Sequence, residues 1–191
     1  MDLGISGRTA AVAAGSAGLG FGSAKALADE GAKVAICGRD QAKLDRAVAE
    51  IGKGCIGIVC DVSTIEGARE FVAKATLALG HIDILVANGG GPKPGTFASV
   101  DIEDYQPALE RSMLATVAMC KDVIPAMQSR GWGRVVAITS SSVRQPIATL
   151  ILSNSARSGL TSFLKTVSRE VAKDGVTVNT VQPGSHATDR I

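Results

Sequence analysis

A glycine-rich turn near the amino terminus constrains what this chain can fold into more than any other stretch. An apolar run at residues 9–14 is followed by Gly15, Gly18 and Gly20, and a segment of helical composition comes next. Glycine lets a chain turn sharply and lets the backbone approach a ligand closely. The N–H groups at the start of the next helix suit a pyrophosphate. Because a glycine motif also fits a plain strand–helix turn, the downstream sequence has to decide between the two.

Composition narrows the class of protein. The 191 residues suffice for one domain, 1–191, and the hydrophobic share of 46% is typical of a globular chain. The net charge is only +2 and no basic stripe is visible, which argues against nucleic-acid binding. No uncharged apolar run reaches the length of a membrane span. We therefore expect neither a nucleic-acid partner nor a membrane partner.

The cysteines indicate the compartment. The chain has four, Cys37, Cys55, Cys60 and Cys120, and their spacing is not that of a metal site. Buried free thiols in a reducing compartment are the simplest interpretation. The first residues do not fit a signal peptide. A cytoplasmic protein without a metal ion is therefore expected.

Six apolar segments alternate with helical ones. Strands are predicted at residues 9–14, 33–37, 55–60, 82–87, 134–138 and 176–181. One helix is predicted after the N-cap Asp40, and a second runs from a capping box of Ser63 and Glu66 to about residue 79. Two longer helices are predicted, one at 101–127 with an end near Pro125 and one at about 147–173 with a stop at Gly175. The alternation predicts an α/β fold, a doubly wound parallel sheet with helices on both faces. Ligands of such sheets bind at the carboxyl ends of the strands.

Four short motifs follow these strands. They are Gly15, Ser16, Gly18, Leu19 and Gly20, then Asp61 and Val62, then Asn88 and Gly89, and finally Pro183, Gly184 and Thr188. In this order they resemble the short-chain dehydrogenase/reductase family, in particular a divergent group similar to the 3-oxoacyl carrier-protein reductases. The resemblance implies that the motifs serve, in turn, as a phosphate loop, as contacts to the adenine, as contacts to its ribose, and as the segment whose threonine binds the nicotinamide amide. It also implies a Rossmann-type sheet of strand order 3-2-1-4-5-6, and family members continue with a further strand and a tail beyond the position of Ile191.

The catalytic positions depart from the family's usual residues. Ser140 matches the active serine, but Ser153 and Arg157 stand where the resemblance implies a tyrosine and a lysine, and Ser112 where it implies an asparagine. Ser140 is expected to polarise the substrate oxygen, and Arg157 to hold the nicotinamide ribose. Serine is a much weaker acid than a phenol of pKa about 10, so the proton is expected from water held by Ser153 or from His186. We expect cofactor binding to survive where the usual proton transfer does not.

Each of these residues also has a simpler interpretation. Ser153 and Arg157 share a helix face and could form a solvated polar patch. Ser140 could cap the next element, and Ser112 could be a packing substitution. His186 could be an ordinary loop histidine.

The end of the second predicted strand indicates the cofactor. In this fold an acidic residue there takes the ribose 2′-hydroxyl, and a basic residue takes a 2′-phosphate. Gly38 leaves room for a 2′-phosphate and Arg39 supplies a positive charge to bind it, so NADP(H) is expected ahead of NAD(H). The alternative is that Arg39 is a solvated surface charge.

The sequence thus predicts an NADP(H)-dependent oxidoreductase that acts on a carbonyl or alcohol group of a small molecule, with 3-oxoacyl compounds among the candidates. The alternative is a dinucleotide-binding protein without turnover, a sensor or an oligomer partner. A third interpretation is an enzyme of the same fold with other chemistry. Since the two long helices pair between subunits in the family, a homodimer or homotetramer is expected.

Overall fold

The computed structural model describes residues 3–186, and its six strands form one parallel sheet. The strands are β1 (Thr9–Val12), β2 (Lys33–Gly38), β3 (Ile56–Val59), β4 (Ile84–Ala87), β5 (Gly133–Ile138) and β6 (Val176–Val181). Their order across the sheet is β3-β2-β1-β4-β5-β6. The doubly wound sheet and its strand order, 3-2-1-4-5-6, are confirmed.

Helical segments connect the strands. They are α1 (Gly18–Asp29), α2 (Gln41–Ile51), α3 (Ile65–Leu79), α4 (Tyr105–Leu109), α5 (Ala115–Ser129) and α6 (Ile151–Val171). A π-helical turn, Glu110–Leu114, joins α4 to α5. Within residues 3–186, no helix combines the length and the hydropathy that crossing a bilayer would require.

Helices cover both faces of the sheet. Phe71, Met127 and Leu160, from α3, α5 and α6, belong to the buried cluster on one face. Ala24 and Leu44, from α1 and α2, belong to the cluster on the other face. All four residues of β1 are buried, which explains the continuous apolar character of this strand in the sequence.

The strand order reverses at β1. Val12 of β1 pairs with Ile36 of β2 on one side and with Val86 of β4 on the other. The connections after β1 and after β4 therefore leave the sheet in opposite directions. A crevice opens between such connections at the carboxyl ends of the strands, and this is where ligands bind in open α/β sheets.

The side chain of Thr64 sets the start of α3. Thr64 caps this helix, because its Oγ1 accepts a hydrogen bond from the Gly67 amide at 3.1 Å. The predicted capping box of Ser63 and Glu66 is therefore wrong, and the Ser63 amide instead donates to Asp61 Oδ1 at 3.0 Å.

The N-cap of α2 is confirmed. The carboxylate of Asp40 accepts a hydrogen bond from the Lys43 amide at 2.9 Å. A side-chain acceptor at this position satisfies one of the helix's first N–H groups, as the sequence predicts.

The two long helices differ from their predictions. The predicted helix 101–127 is divided by the π-helical turn, and Pro125 lies inside α5 instead of ending it. α6 begins at Ile151 and not near residue 147, because the Leu150 amide closes a turn on the carbonyl of Ile147 at 3.0 Å.

β6 lies at one edge of the sheet that residues 3–186 form. Val176 and Val178 are buried, whereas Thr177 and Asn179 are exposed on the other face. The chain enters this strand through Gly175, which has a left-handed φ of 75°. A Cβ at Gly175 would lie 2.1 Å from the carbonyl oxygen of Gly131, so the turn before β5 packs directly on this glycine.

We predict that Gly175→Ala destabilises the protein more than Gly80→Ala. Both glycines have positive φ, 75° and 84°, but a Cβ at Gly80 meets no atom within 4 Å. Gly80→Ala should therefore cost only the left-handed penalty, about 1 kcal/mol of unfolding free energy. Gly175→Ala should cost about 1–3 kcal/mol more through the clash. Urea denaturation checks this, and equal losses would contradict it.

Candidate active site

A cleft of about 340 Å³ opens at the carboxyl ends of the central strands. Its walls come from α1, from the segments that follow β4, β5 and β6, and from α6. The lining residues are Leu19, Asn88, Gly89, Ile138, Thr139, Ser140, Ser141, Ile147, Leu150, Ser153, Arg157, Pro183, Gly184, Ser185 and His186. The structure thus brings together residues that the sequence places in widely separated motifs.

The glycine-rich turn packs tightly against its neighbours. A Cβ at Gly15 would lie 2.8 Å from the Ile36 side chain of β2. A Cβ at Gly20 would lie 2.3 Å from the Ala14 oxygen and 2.7 Å from Asn88 Nδ2. Gly15 and Gly20 are therefore required by close approach, since any side chain at either position would displace the turn.

Two residues of the turn have a left-handed φ, Ala14 and Gly18, whereas Gly15 does not. Ala14 has a φ of 48°, a conformation that costs a residue with a Cβ about 1–2 kcal/mol. Its carbonyl accepts a hydrogen bond from Asn88 Nδ2 at 3.3 Å, and its amide donates to Cys37 Sγ at 3.3 Å. Neither contact could be read from the sequence, because both depend on residues of neighbouring strands.

The start of α1 fits an anionic group. Side chains cap α2 and α3, but the N-cap of α1 is Ala17, which makes no side-chain capping bond. The first turn of α1 also has no acidic residue. The first N–H groups of a helix require acceptors, and its dipole favours negative charge there. The residues present therefore fit the pyrophosphate of a dinucleotide.

Ser140 and Ser153 both line the cleft. Ser140 Oγ accepts a hydrogen bond from the Ser142 amide at 3.1 Å, so this side chain also caps the short helical turn that follows β5. Ser153 is in the first turn of α6 and is only 6% exposed. Within residues 3–186 we find no hydrogen bond that involves the Ser153 hydroxyl.

Arg157 lies in the same cleft, one helical turn after Ser153. It is 7% exposed, and its Nη1 donates to the main-chain oxygens of Ile138 at 2.8 Å and Thr139 at 3.1 Å. Because both Ser153 and Arg157 are buried, they are not a solvated polar patch. The end of β5 anchors the guanidinium beside the cleft.

Ser112 is not a wall of the cleft. It lies in the π-helical turn, is 5% exposed, and borders a smaller cavity with Val62, Asn88, Arg111 and Arg157. Its Oγ has no hydrogen-bond partner among the described residues. Asn88, Gly89, Ile138 and Arg157 border both cavities, so Ser112 lies in a cavity next to the cleft and not in the cleft itself.

Arg39 and Asp61 form an exposed ion pair at the ends of β2 and β3, with 3.9 Å between Nη1 and Oδ2. A Cβ at Gly38 would lie 2.6 Å from Ser16 Oγ, so this glycine lets the turn approach β2. Ser16 borders a shallow groove with Lys43, which lies in the first turn of α2 and is not among the residues that the sequence predicts for the site.

Main-chain contacts fix the mouth of the cleft. The Gly95 amide donates to the Thr149 oxygen at 2.7 Å, and the Ile151 amide donates to the Gly95 oxygen at 3.2 Å. Asn154 Nδ2 donates to the Ile147 oxygen at 2.8 Å. The two bonds of Gly95 tie the segment after β4 to the start of α6, and the Asn154 side chain holds the turn before that helix.

His186 is exposed at the rim, with Nδ1 at 3.1 Å from the Gly184 oxygen. Thr188, the predicted partner of the nicotinamide amide, lies outside the described residues. Within residues 3–186, no group of three or more His, Cys, Asp and Glu side chains could hold a metal ion. All four cysteines are buried and free, as the sequence predicts.

Known proteins are similar to this chain in sequence and in fold. "Dehydrogenase/reductase SDR family member 4" of Bos taurus is 33% identical over 184 residues, which are 94% of this chain and 66% of that protein. The L-sorbose reductase of Gluconobacter frateurii, solved with NADPH and L-sorbose, is 31% identical with a TM-score of 0.94, over 100% of this chain and 74% of that chain. An actinorhodin polyketide ketoreductase solved with NADPH is 30% identical with a TM-score of 0.90, over 96% of this chain and 72% of that chain.

The length of the match and the family model complete the comparison. This chain spans slightly less than two thirds of the length of the bovine relative. Residues 8–191 match the family model described as short chain dehydrogenase. Since that model covers nearly the whole sequence and the sheet order agrees, the chain belongs to the short chain dehydrogenase family.

Proposed function

We propose that this chain is an NADP(H)-dependent oxidoreductase with a non-standard active site, acting on the carbonyl or alcohol group of a small molecule. The observation that carries the proposal is that Ser140, Ser153 and Arg157 line the same cleft as Leu19 and Asn88. The ketoreductase and the sugar reductase among the structural neighbours support a carbonyl substrate. A 3-oxoacyl compound is the first class to test.

The cofactor would lie along the carboxyl ends of the strands. The N–H groups at the start of α1 would hold its pyrophosphate, and the proposed adenosine contacts are Arg39, Asp61 and Val62. Asn88 and Gly89 would lie beside the adenosine ribose, and Pro183 and Gly184 would line the path to the nicotinamide, with Thr188 as a further proposed partner. When bound, the cofactor supplies or accepts a hydride.

Ser140 is proposed to orient the substrate oxygen. Its Oγ accepts a hydrogen bond from the Ser142 amide through one lone pair. The hydroxyl proton of Ser140 therefore stays available to donate to a substrate oxygen. A hydrogen bond to a carbonyl oxygen stabilises the negative charge that develops there on reduction.

Ser153 is proposed to bind the water through which a proton reaches that oxygen. Its hydroxyl is weakly acidic compared with a phenol and has a shorter reach, so direct proton transfer is unfavourable. His186, at the rim, is the second proposed source of the proton. The only tyrosine, Tyr105, begins α4 and does not line the cleft.

Arg157 is proposed to keep a positive charge next to the nicotinamide ribose. An arginine donates from a fixed planar fork and does not release a proton at physiological pH, so it can bind but cannot relay. Ser112, which faces the smaller cavity, is proposed to support Arg157 and Asn88 and not to touch substrate.

The alternative is a dinucleotide-binding protein without turnover. It is favoured by the commitment of Arg157 Nη1 to two main-chain oxygens and by the absence of a tyrosine from the cleft. The two proposals share the cofactor site and differ only in proton transfer. A homo-oligomer and a cytoplasmic location remain predictions from the sequence.

We predict that Arg39→Ala weakens NADPH binding roughly tenfold, or about 1.4 kcal/mol, and leaves NADH binding nearly unchanged. The reason is that only NADPH carries the 2′-phosphate that Arg39 would bind. Arg69→Ala is the matched control, because Arg69 is also exposed and pairs with Asp122 at 3.8 Å. Fluorescence titration with both cofactors measures the effect, and tighter wild-type binding of NADH would count against the preference.

We predict slow or absent reduction of simple ketones despite measurable NADPH binding. A well-placed general acid accelerates such a reaction by about 10²–10⁴. Because Ser153 is shorter and less acidic than a tyrosine, much of this acceleration should be lost. Arg157→Ala should weaken cofactor binding, whereas Ser153→Ala should not. The double change Ser153→Tyr with Arg157→Lys should raise turnover. The change in NADPH absorbance with ketones and 3-oxoacyl thioesters measures turnover, and fluorescence titration with NADPH measures binding by the two single variants.

Two outcomes would contradict the proposed proton path or the proposed turnover. Fast wild-type turnover that persists after Ser153→Ala combined with His186→Ala would show that neither residue is on the proton path. Tight NADPH binding without turnover on any carbonyl, and without gain in the Ser153→Tyr, Arg157→Lys double variant, would favour the non-catalytic alternative.

A further inference from the structure

The glycine-rich turn contains an alanine in a conformation that suits glycine. Ala14 has a φ of 48°, whereas the adjacent Gly15 does not have a positive φ. A left-handed residue with a Cβ persists only where its surroundings determine it. The contacts around Ala14 should therefore explain what holds the turn in this shape.

A single residue of β2 accepts both amides at this point. The Ala14 amide donates to Cys37 Sγ at 3.3 Å, and the Gly15 amide donates to the Cys37 main-chain oxygen at 2.9 Å. The preceding amide, of Ala13, donates to Val86 of β4 at 2.9 Å. The hydrogen-bond acceptor thus changes from Val86 of β4 to Cys37 of β2 at Ala14, the residue with the left-handed φ.

The Cys37 thiol is suited to this contact. Its side chain is fully buried, and burial raises the pKa of the thiol to about 12, against the opposing effect of the hydrogen bond from Ala14. The sulfur therefore stays neutral at physiological pH and remains a weak acceptor. An apolar side chain of similar volume would fill the same space without accepting the amide.

The main-chain oxygen of Ala14 is held by a hydrogen bond as well. The Ala14 oxygen accepts Asn88 Nδ2 at 3.3 Å and faces the position that a Cβ of Gly20 would occupy, at 2.3 Å. Rotation of this peptide would therefore disturb the first turn of α1. That turn carries the N–H groups assigned above to the pyrophosphate.

We propose that Cys37 is a positioning residue, whose sulfur holds Ala14 in the left-handed conformation and so preorganises the phosphate-binding turn. The inference rests on the proposed dinucleotide binding. Glycine at position 14 would need no such support, since it adopts positive φ without steric cost. The need for the sulfur should therefore disappear when Ala14 is replaced by glycine.

The test is a double-variant cycle with NADPH titration and thermal melting as readouts. Cys37→Val removes the acceptor, and Cys120→Val is the matched control, because Cys120 is equally buried but lies in α5, away from the turn. Loss of preorganisation should weaken NADPH binding about tenfold in Cys37→Val and less than about threefold in Cys120→Val. Adding Ala14→Gly to Cys37→Val should restore the affinity to within about threefold of Ala14→Gly alone.

The proposal is overturned if Cys37→Val binds NADPH as well as Cys120→Val does, or if Ala14→Gly fails to restore the lost affinity. Melting separates this result from failure of the cofactor assignment. Ala14→Gly should raise Tm more in the Cys37→Val background than in the wild type, and equal shifts would refute the role of Cys37. If the wild type binds neither NADPH nor NADH, the proposed function fails, while the Tm cycle still decides whether Cys37 holds the turn.

Discussion

The arrangement of the cleft depends on the close contact of three segments where β1 ends. The Ala14 oxygen lies between Asn88, which follows β4, and Gly20, in the first turn of α1. No Cβ fits at Gly20, so helix, turn and strand end have one mutual arrangement. Because β1 is the strand at which the sheet order reverses, this contact fixes the edge of the crevice and the direction in which α1 presents its N–H groups.

The fold could be predicted because its determinants are periodic and local. Apolar strands alternate with helical segments, and only a parallel sheet covered on both faces buries such strands. Helix ends were predicted less well, because neighbouring polar residues compete for the same cap. Thr64 and not Ser63 caps α3, and the side chain of Asp61 accepts the Ser63 amide that the predicted capping box gives to Glu66. Asp40 had no such competitor, and its cap agreed with the prediction.

The candidate site could be predicted to the extent that motifs follow strands. Asn88, Ser140 and Pro183 each come after a strand, so a parallel sheet brings them to one edge, and all three line the cleft. The contacts that shape this cleft could not be predicted in the same way. The bonds of Gly95 to the start of α6 are main-chain contacts between distant segments, and the sulfur contact at Ala14 depends on strand register.

Binding and chemistry depend on different kinds of groups in this cleft. Anion binding at a helix start relies on main-chain N–H groups, which no substitution other than proline removes. Proton transfer relies on one side chain of suitable acidity and reach, and a single substitution can abolish it. Ser153 and Arg157 keep a hydroxyl and a charge where the resemblance implies a phenol and an amine, so the polarity of the cleft is retained while its acidity is lowered. A chain of this fold can therefore retain cofactor affinity after the usual proton path is lost, and under the proposed function turnover then requires water or His186 to deliver the proton to the substrate oxygen.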